Sequence, residues 1–235
     1  MEEGTYVVVD GPDGAGKGTQ ILLLQEYYKN KGIPVVFTRE PGGTPRAEEI
    51  RALLLSSGFG GIDPFAQLLL FFAARQEHVE KLVRPKVAEG ELVISDRADP
   101  STYAYQIFGH DRQDLFPDFR RLRERVYHGL TPHYIFLFVP TDIAMERLAR
   151  RKGQDLTHFD QADRAWKERV REGYIRFAKV FGPSVIIDGN RDPIYVHADV
   201  LKWVEAARDG SFRAKAERLN HGPHLRSQGG DLLFD

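Results

Sequence analysis

Residues 11–20 read GPDGAGKGTQ, and their types and spacing suit one task, the holding of a polyphosphate. Gly11, Gly14 and Gly16 let the backbone curl so that successive N–H groups converge on phosphate oxygens. A helix that starts near Lys17 adds its unpaired N–H groups and the positive end of its dipole. Lys17 then supplies a point charge for the outer phosphates. The residues placed to line those phosphates are Gly11, Asp13, Gly14, Ala15, Gly16, Lys17, Gly18 and Thr19. One of them departs from the usual spacing. A hydroxyl should follow the lysine to reach magnesium, but Gly18 stands there and Thr19 comes one place late. The glycine removes only the hydroxyl, because its backbone N–H still faces the phosphate. Magnesium would then be held through water, or by Asp10, Asp96 and the substrate phosphates, since it keeps several of its waters.

Such a loop works only between a buried strand and a helix, and the flanking sequence predicts both. TYVVVD (5–10) precedes it, and comparable apolar runs recur at PVVFT (34–38), ELVISD (91–96), HYIFLFV (133–139) and SVIID (184–188). Continuous rather than alternating apolarity suits strands covered on both faces, as in a parallel sheet. Helix-length segments lie between them, at roughly 17–31, 45–56, 64–89, 115–129, 142–152, 160–181 and 193–208. Asp63 and Pro64 are placed to cap and begin the longest. The predicted class is α/β: a five-stranded parallel sheet flanked by helices, with ligands at the carboxyl ends of the strands. After Arg208 the sequence turns polar and glycine-rich, so residues 209–235 read as a tail with one short helix at 212–219.

Composition excludes several classes. The 33 basic and 34 acidic residues nearly cancel, which argues against a general nucleic-acid binder. There is no cysteine, so disulfides, thiolate metal sites and cysteine nucleophiles are ruled out. The eight histidines show no zinc-site spacing. The longest apolar run, LLLFFAA (68–74), falls far short of the ~20 residues that span a bilayer. The amino terminus enters a strand at once, unlike a signal peptide, and the expected location is the cytoplasm.

A phosphate loop alone does not name a reaction. The stretches TREPGGTPRAEEIR (38–51), FFAARQEHVEKLVRPKVAEGELVISDR (71–97) and DRADPSTYAYQ (96–106) are more specific. With the loop they resemble the thymidylate kinase family, in order and spacing, over about residues 4 to 206. The resemblance implies the P-loop nucleoside monophosphate kinase fold over residues 1–208, with a short lid at about 147–162. It also implies transfer of the γ-phosphoryl of ATP to dTMP, giving dTDP for dTTP synthesis, with Mg2+ as cofactor and a homodimeric protein. Phe71 and Arg75, four apart on one helix face, correspond to the ring that stacks on thymine and the cation that reads its 4-oxo group. Arg39 and Arg97, at strand ends, correspond to phosphate ligands, Arg97 between acceptor and donor, with Glu40 in the same wall. Asp13 corresponds to the acid that accepts the sugar 3′-hydroxyl. Thr102 and Gln106 match positions that contact the pyrimidine, and Tyr105 the ring that crowds the sugar 2′ carbon. The expected catalytic set is Lys17, Arg97, Arg151 and Asp10.

The chain departs from the family pattern in three places. Gly18 is the first, although GAGKGTQ is also similar to the loop of adenylate kinases. Ala98 replaces an aromatic residue or histidine and leaves room near the acceptor. In the lid, Arg147, Arg150 and Arg151 supply charge, but the expected aspartate–arginine pair reads Asp155–Leu156. Two alternatives follow: a kinase with shifted or broadened specificity toward dUMP or 5-substituted dUMP, or a catalytically silent nucleotide-binding module.

Overall fold

The structure, a computed structural model, describes residues 4–56, 61–150, 159 and 162–221. Five parallel strands, β1 (Thr5–Asp10), β2 (Val36–Arg39), β3 (Leu92–Asp96), β4 (His133–Phe138) and β5 (Ser184–Asp188), lie in the order β2-β3-β1-β4-β5. The central strand alternates between two cores. Tyr6 and Val8 face a cluster containing Phe72, Phe119, Phe136 and Phe177, while Val7 and Val9 face Leu24, Ile94, Leu137, Val200 and Trp203. A strand with apolar neighbours on both faces has no polar side to show, which explains its unbroken run of valines.

Helix α1 (Lys17–Lys31) follows β1, and α2 (Pro45–Leu54) and α3 (Pro64–His78) follow β2. Asp63 caps α3 through Phe65 N (2.9 Å) and Ala66 N (3.4 Å), and Pro64 takes a position that needs no N–H donor. α3 runs on through a π-helical stretch, Val79–Val83, into α4 (Arg84–Ala88). The segment after β3 differs from expectation. It forms a short helix, α5 (Asp99–Thr102), continued as a π-helical stretch, Tyr103–Gly109, where sequence analysis placed no helix. Tyr103 to Ile107 are all buried, so no polar face marks the helical period. Its tight neighbour is α8 (Arg164–Val180), where a Cβ on Gly173 would lie 2.7 Å from Ala104 Cα.

The remaining helices are α6 (Phe116–Val126), α7 (Thr141–Ala149), α9 (Pro193–Arg208) and α10 (Phe212–His221). The packed body therefore does not stop at Arg208. Phe212 is fully buried, 5.1 Å from Trp203 and 5.0 Å from His133 between ring centroids, which anchors α10 on the β5 side. Among the described residues, no helix is long and apolar enough to cross a membrane.

Candidate active site

Register brings the predicted groups to one edge of the sheet. Val9 and Arg39 both pair with Asp96, and Asp10 pairs with Phe136, so the ends of β1, β2 and β3 stand level. The phosphate loop turns away from β1 at Gly11. Gly14 adopts φ +83°, and a Cβ there would meet Ala144 O at 2.5 Å, so only glycine fits beneath α7. Gly16 precedes α1 with no side-chain cap, and the first turn carries no acid. Its N–H groups are left for an anion. Lys17 is 7% exposed, and its Nζ donates to Gly11 O and Pro12 O, both at 2.8 Å. Burial, reinforced by the Arg97 charge, lowers its pKa to about 8 against the pull of Asp13, Asp96 and Asp10.

Asp10 is densely hydrogen-bonded in the free protein. Its fully buried carboxylate accepts from Gly11 N (2.8 Å), Ser101 Oγ (2.8 Å), Tyr174 Oη (2.9 Å), Ala98 N and Ser101 N (both 3.2 Å). Arg97 Nη1 adds a longer contact at 3.4 Å. A carboxylate offers about four lone-pair sites, and these donors occupy them in the free protein. In the free protein Asp10 anchors the loop, α5 and Arg97. Asp96 is different: its Oδ1 is buried without a hydrogen-bond partner, and the residue lines a cavity beside the loop. An orphaned carboxylate oxygen fits a hydrated divalent cation.

Arg97 occupies a strained backbone position, φ +69°, held by Arg97 N donating to Val9 O and Ser95 Oγ donating to Arg97 O. The turn aims its guanidinium over the loop, where Nη2 bonds Asp13 and Nη1 bonds Ser101 Oγ (2.9 Å). Tyr105 Oη donates to the other oxygen of Asp13 at 2.6 Å. Burial would raise the Asp13 pKa, but Arg97, Lys17 and Tyr105 outweigh it and bring it down to about 2.

One cavity of about 220 Å³ gathers Asp13, Arg39, Glu40, Phe71, Arg75, Asp96, Arg97, Thr102, Tyr105 and Gln106, with Ala98 in its wall. Phe71 and Arg75 share a face as their spacing requires, although the ring beneath the guanidinium is Phe72, at 4.7 Å. Arg75 is fixed by Glu40 Oε2 (2.7 Å) and Thr102 Oγ1 (2.9 Å), which leaves Nη1 buried and unpaired. Gln106 Nε2 donates to Gln67, leaving its buried Oε1 unpaired. Arg39 is exposed and pairs with Glu48 at 3.2 Å.

On the other side of the loop, a second cavity is lined by Gly14, Ala15, Gly16, Thr19, Arg147, Gly189 and Arg191. Arg147 reaches Gly14 O (3.4 Å) and Gly189 O (3.3 Å). Arg150 does not join it: the side chain is exposed and pairs with Glu146 one turn back. Arg151, Asp155 and Leu156 lie outside the described residues.

Two cavities meeting at one phosphate loop are the layout of an enzyme that brings a donor and an acceptor phosphate together. Comparison with known proteins agrees. Residues 9–200 match the family model described as thymidylate kinase. The chain belongs to the thymidylate kinase family. A thymidylate kinase of Symbiobacterium thermophilum is 37% identical over 91% of this chain and 98% of its own length. One of Chromobacterium violaceum is 36% identical over 87% and 95%. A solved thymidylate kinase structure from Ehrlichia chaffeensis superposes with a TM-score of 0.67 at 29% identity, covering 86% of this chain and 98% of that one. As a thymidylate kinase family member the protein is a nucleoside monophosphate kinase.

Further side chains complete the site. Arg51 lines the acceptor cavity from α2, held by Pro41 O at 2.6 Å. His78 bridges Glu40 Oε1 (3.0 Å) and Thr38 Oγ1 (2.8 Å), and Tyr174 reaches Asp10 from far along the chain. Arg51 ends the TREPGGTPRAEEIR stretch (38–51), where an arginine count flags it; the contacts of His78 and Tyr174 emerge only in the folded chain.

Proposed function

We propose that the protein transfers the γ-phosphoryl of ATP to the 5′-phosphate of dTMP, giving dTDP. One observation carries the choice of acceptor. Beside Phe71, the cavity wall holds an unpaired donor, Arg75 Nη1, and an unpaired acceptor, Gln106 Oε1. Thymine offers the complement, a 4-oxo acceptor and an N3–H donor. With Arg75 toward the 4-position and Gln106 toward N3, cytosine, which has a 4-amino donor and an N3 acceptor, would leave both protein groups unsatisfied, and unmade buried hydrogen bonds discriminate strongly.

In this reading the acceptor phosphate lies between Arg39, Arg51 and Arg97, and an oxygen of it attacks in line. Lys17 leaves its loop carbonyls to meet the outer phosphates of ATP, whose nucleoside lies toward Arg147, Gly189 and Arg191. Asp96 would hold magnesium through water, and magnesium when bound neutralises charge on the donor phosphates. Asp13 keeps its charge and orients Arg97 until the sugar 3′-hydroxyl replaces a partner. Catalysis is alignment and charge neutralisation, with no protein nucleophile.

A homodimer is supported by Leu53, Phe65 and Leu69, which are exposed on the paired helices α2 and α3. Light scattering at twice the monomer mass of 26.8 kDa checks it. ATP and dTMP as substrates support a cytoplasmic location.

Turnover should be measured by ADP release from Mg-ATP with dTMP, dUMP, 5-substituted dUMPs, dCMP, dGMP and AMP. Selective use of dTMP is expected. Ala98 in the cavity wall favours a second reading, in which a larger 5-substituent is preferred. Binding of ATP with no turnover of any acceptor would leave a silent nucleotide-binding module.

A further inference from the structure

Arg171 has no hydrogen bond and no ion pair among the described residues, although it is half-buried. Its guanidinium rests 5.8 Å from the centroid of Phe138, at the end of β4. With Lys167, one turn earlier on the same face of α8, it lines a cleft whose opposite wall is Pro12 and Asp13 of the phosphate loop. Lys167 Nζ donates to Phe159 O at 3.2 Å, and its charge contributes to the field at Asp13. The cleft shares Asp13 and Tyr105 with the acceptor cavity, and its wall includes Ala144, against which Gly14 packs. It opens where donor and acceptor phosphates would meet.

A half-buried guanidinium with no acid beside it keeps its N–H donors free for an arriving anion. Arg123 shows how this chain treats a structural arginine: its guanidinium is tied to Asp99 at 2.7 Å and to Tyr134 Oη at 3.0 Å. Arg171 has aromatic support and no acid. Arg97 and Lys17 approach the loop from the sheet side and Arg147 from the donor side, so α8 supplies the remaining side.

We propose that Arg171 contacts the phosphoryl group during transfer and that Lys167 adds positive charge beside it. The bond from the γ-phosphorus to the β,γ-bridging oxygen breaks as its bond to an acceptor phosphate oxygen forms. The negative charge spread over the equatorial oxygens is met by the guanidinium from the side opposite Arg97. The inference rests on the kinase reading above.

Its test is steady-state kinetics of the parent, R171M, R171K and K167M with Mg-ATP and dTMP, alongside melting curves. R171M should lose at least ~30-fold in kcat, less than the ~10³ or more of a lone arginine finger because Arg97 and Lys17 still meet the transferred group. KM for both substrates should stay within about threefold, R171K should recover part of the rate, and K167M should lose several-fold. Affinity of R171M for ADP, aluminium fluoride and dTMP together should fall, while ADP and dTMP each bind as to the parent. Parent-like kcat in R171M, or losses that track unfolding in all three variants, would overturn the inference. A parent inactive on dTMP would overturn the kinase reading instead, and this inference with it.

Discussion

Arg75 Nε lies 2.7 Å from Glu40 Oε2, and both side chains are 2% exposed. The pair ties the end of β2 to α3 across the acceptor cavity, with His78 and Tyr6 closing on the second oxygen of Glu40. Burial would raise the Glu40 pKa, but Arg75 and His78 reverse it and hold the carboxyl below its usual range. Removing one partner of a buried pair leaves the other charge uncompensated, at about 3–5 kcal/mol. E40Q should therefore lose about that much stability in urea unfolding and raise KM for dTMP more than KM for ATP. Equal stability and an unchanged dTMP KM would mean that Arg75 does not need its carboxylate.

Lys17 makes ATP binding sensitive to mildly alkaline pH. Its pKa of about 8 in the free protein means that the ammonium is lost above that pH, while bound polyphosphate favours its charged form. Binding then requires proton uptake, and affinity for ATP should weaken by up to about tenfold per pH unit above 8. Calorimetry between pH 6.5 and 9.5 checks this, and a flat profile would refute it.

Asp13 governs acid stability in the opposite direction. Its folded pKa of about 2 lies below the unfolded value of about 3.9. The stabilisation is therefore full above pH 4 and is lost as pH falls from about 4 to about 2. D13N should flatten that part of the stability curve, as measured by urea unfolding at pH 2.5, 3.5 and 6.

Gly18 is a place where the chain can be repaired toward the usual loop. A Cβ there meets nothing within 4 Å, so a side chain fits without rearrangement. G18A should raise stability by up to about 1 kcal/mol through helix propensity alone. G18S should bring a smaller gain and, by returning the hydroxyl, lower the magnesium concentration needed for half-maximal rate. If G18S and G18A respond identically to magnesium, the missing hydroxyl has no part in holding the ion.

The strands, the loop and the cavity-lining groups were legible because each sits in a contiguous motif with its own period or spacing. What could not be read depended on packing. The anchoring of Asp10 is hidden because the sequence cannot count the donors that converge on a carboxylate, and Tyr174 is joined to it by the close fit of α8 on Tyr103–Gly109. That helical stretch itself was missed because burial on all sides erases the apolar stripe. Arg150 and Arg147 look equivalent on a helix, yet only Arg147 turns toward the loop. Phe212 shows the same limit at the other end, where a single aromatic in a polar segment docks α10 onto the core.

The central claim is tested most directly by following ATP, magnesium and dTMP with phosphorus NMR. The account predicts that the β-phosphorus resonance of dTDP appears as ATP is consumed, that dCMP in place of dTMP gives little product, and that K17A abolishes the signal while the protein stays folded. Persistence of ATP and dTMP alongside demonstrable ATP binding, or equal phosphorylation of dCMP, would contradict it.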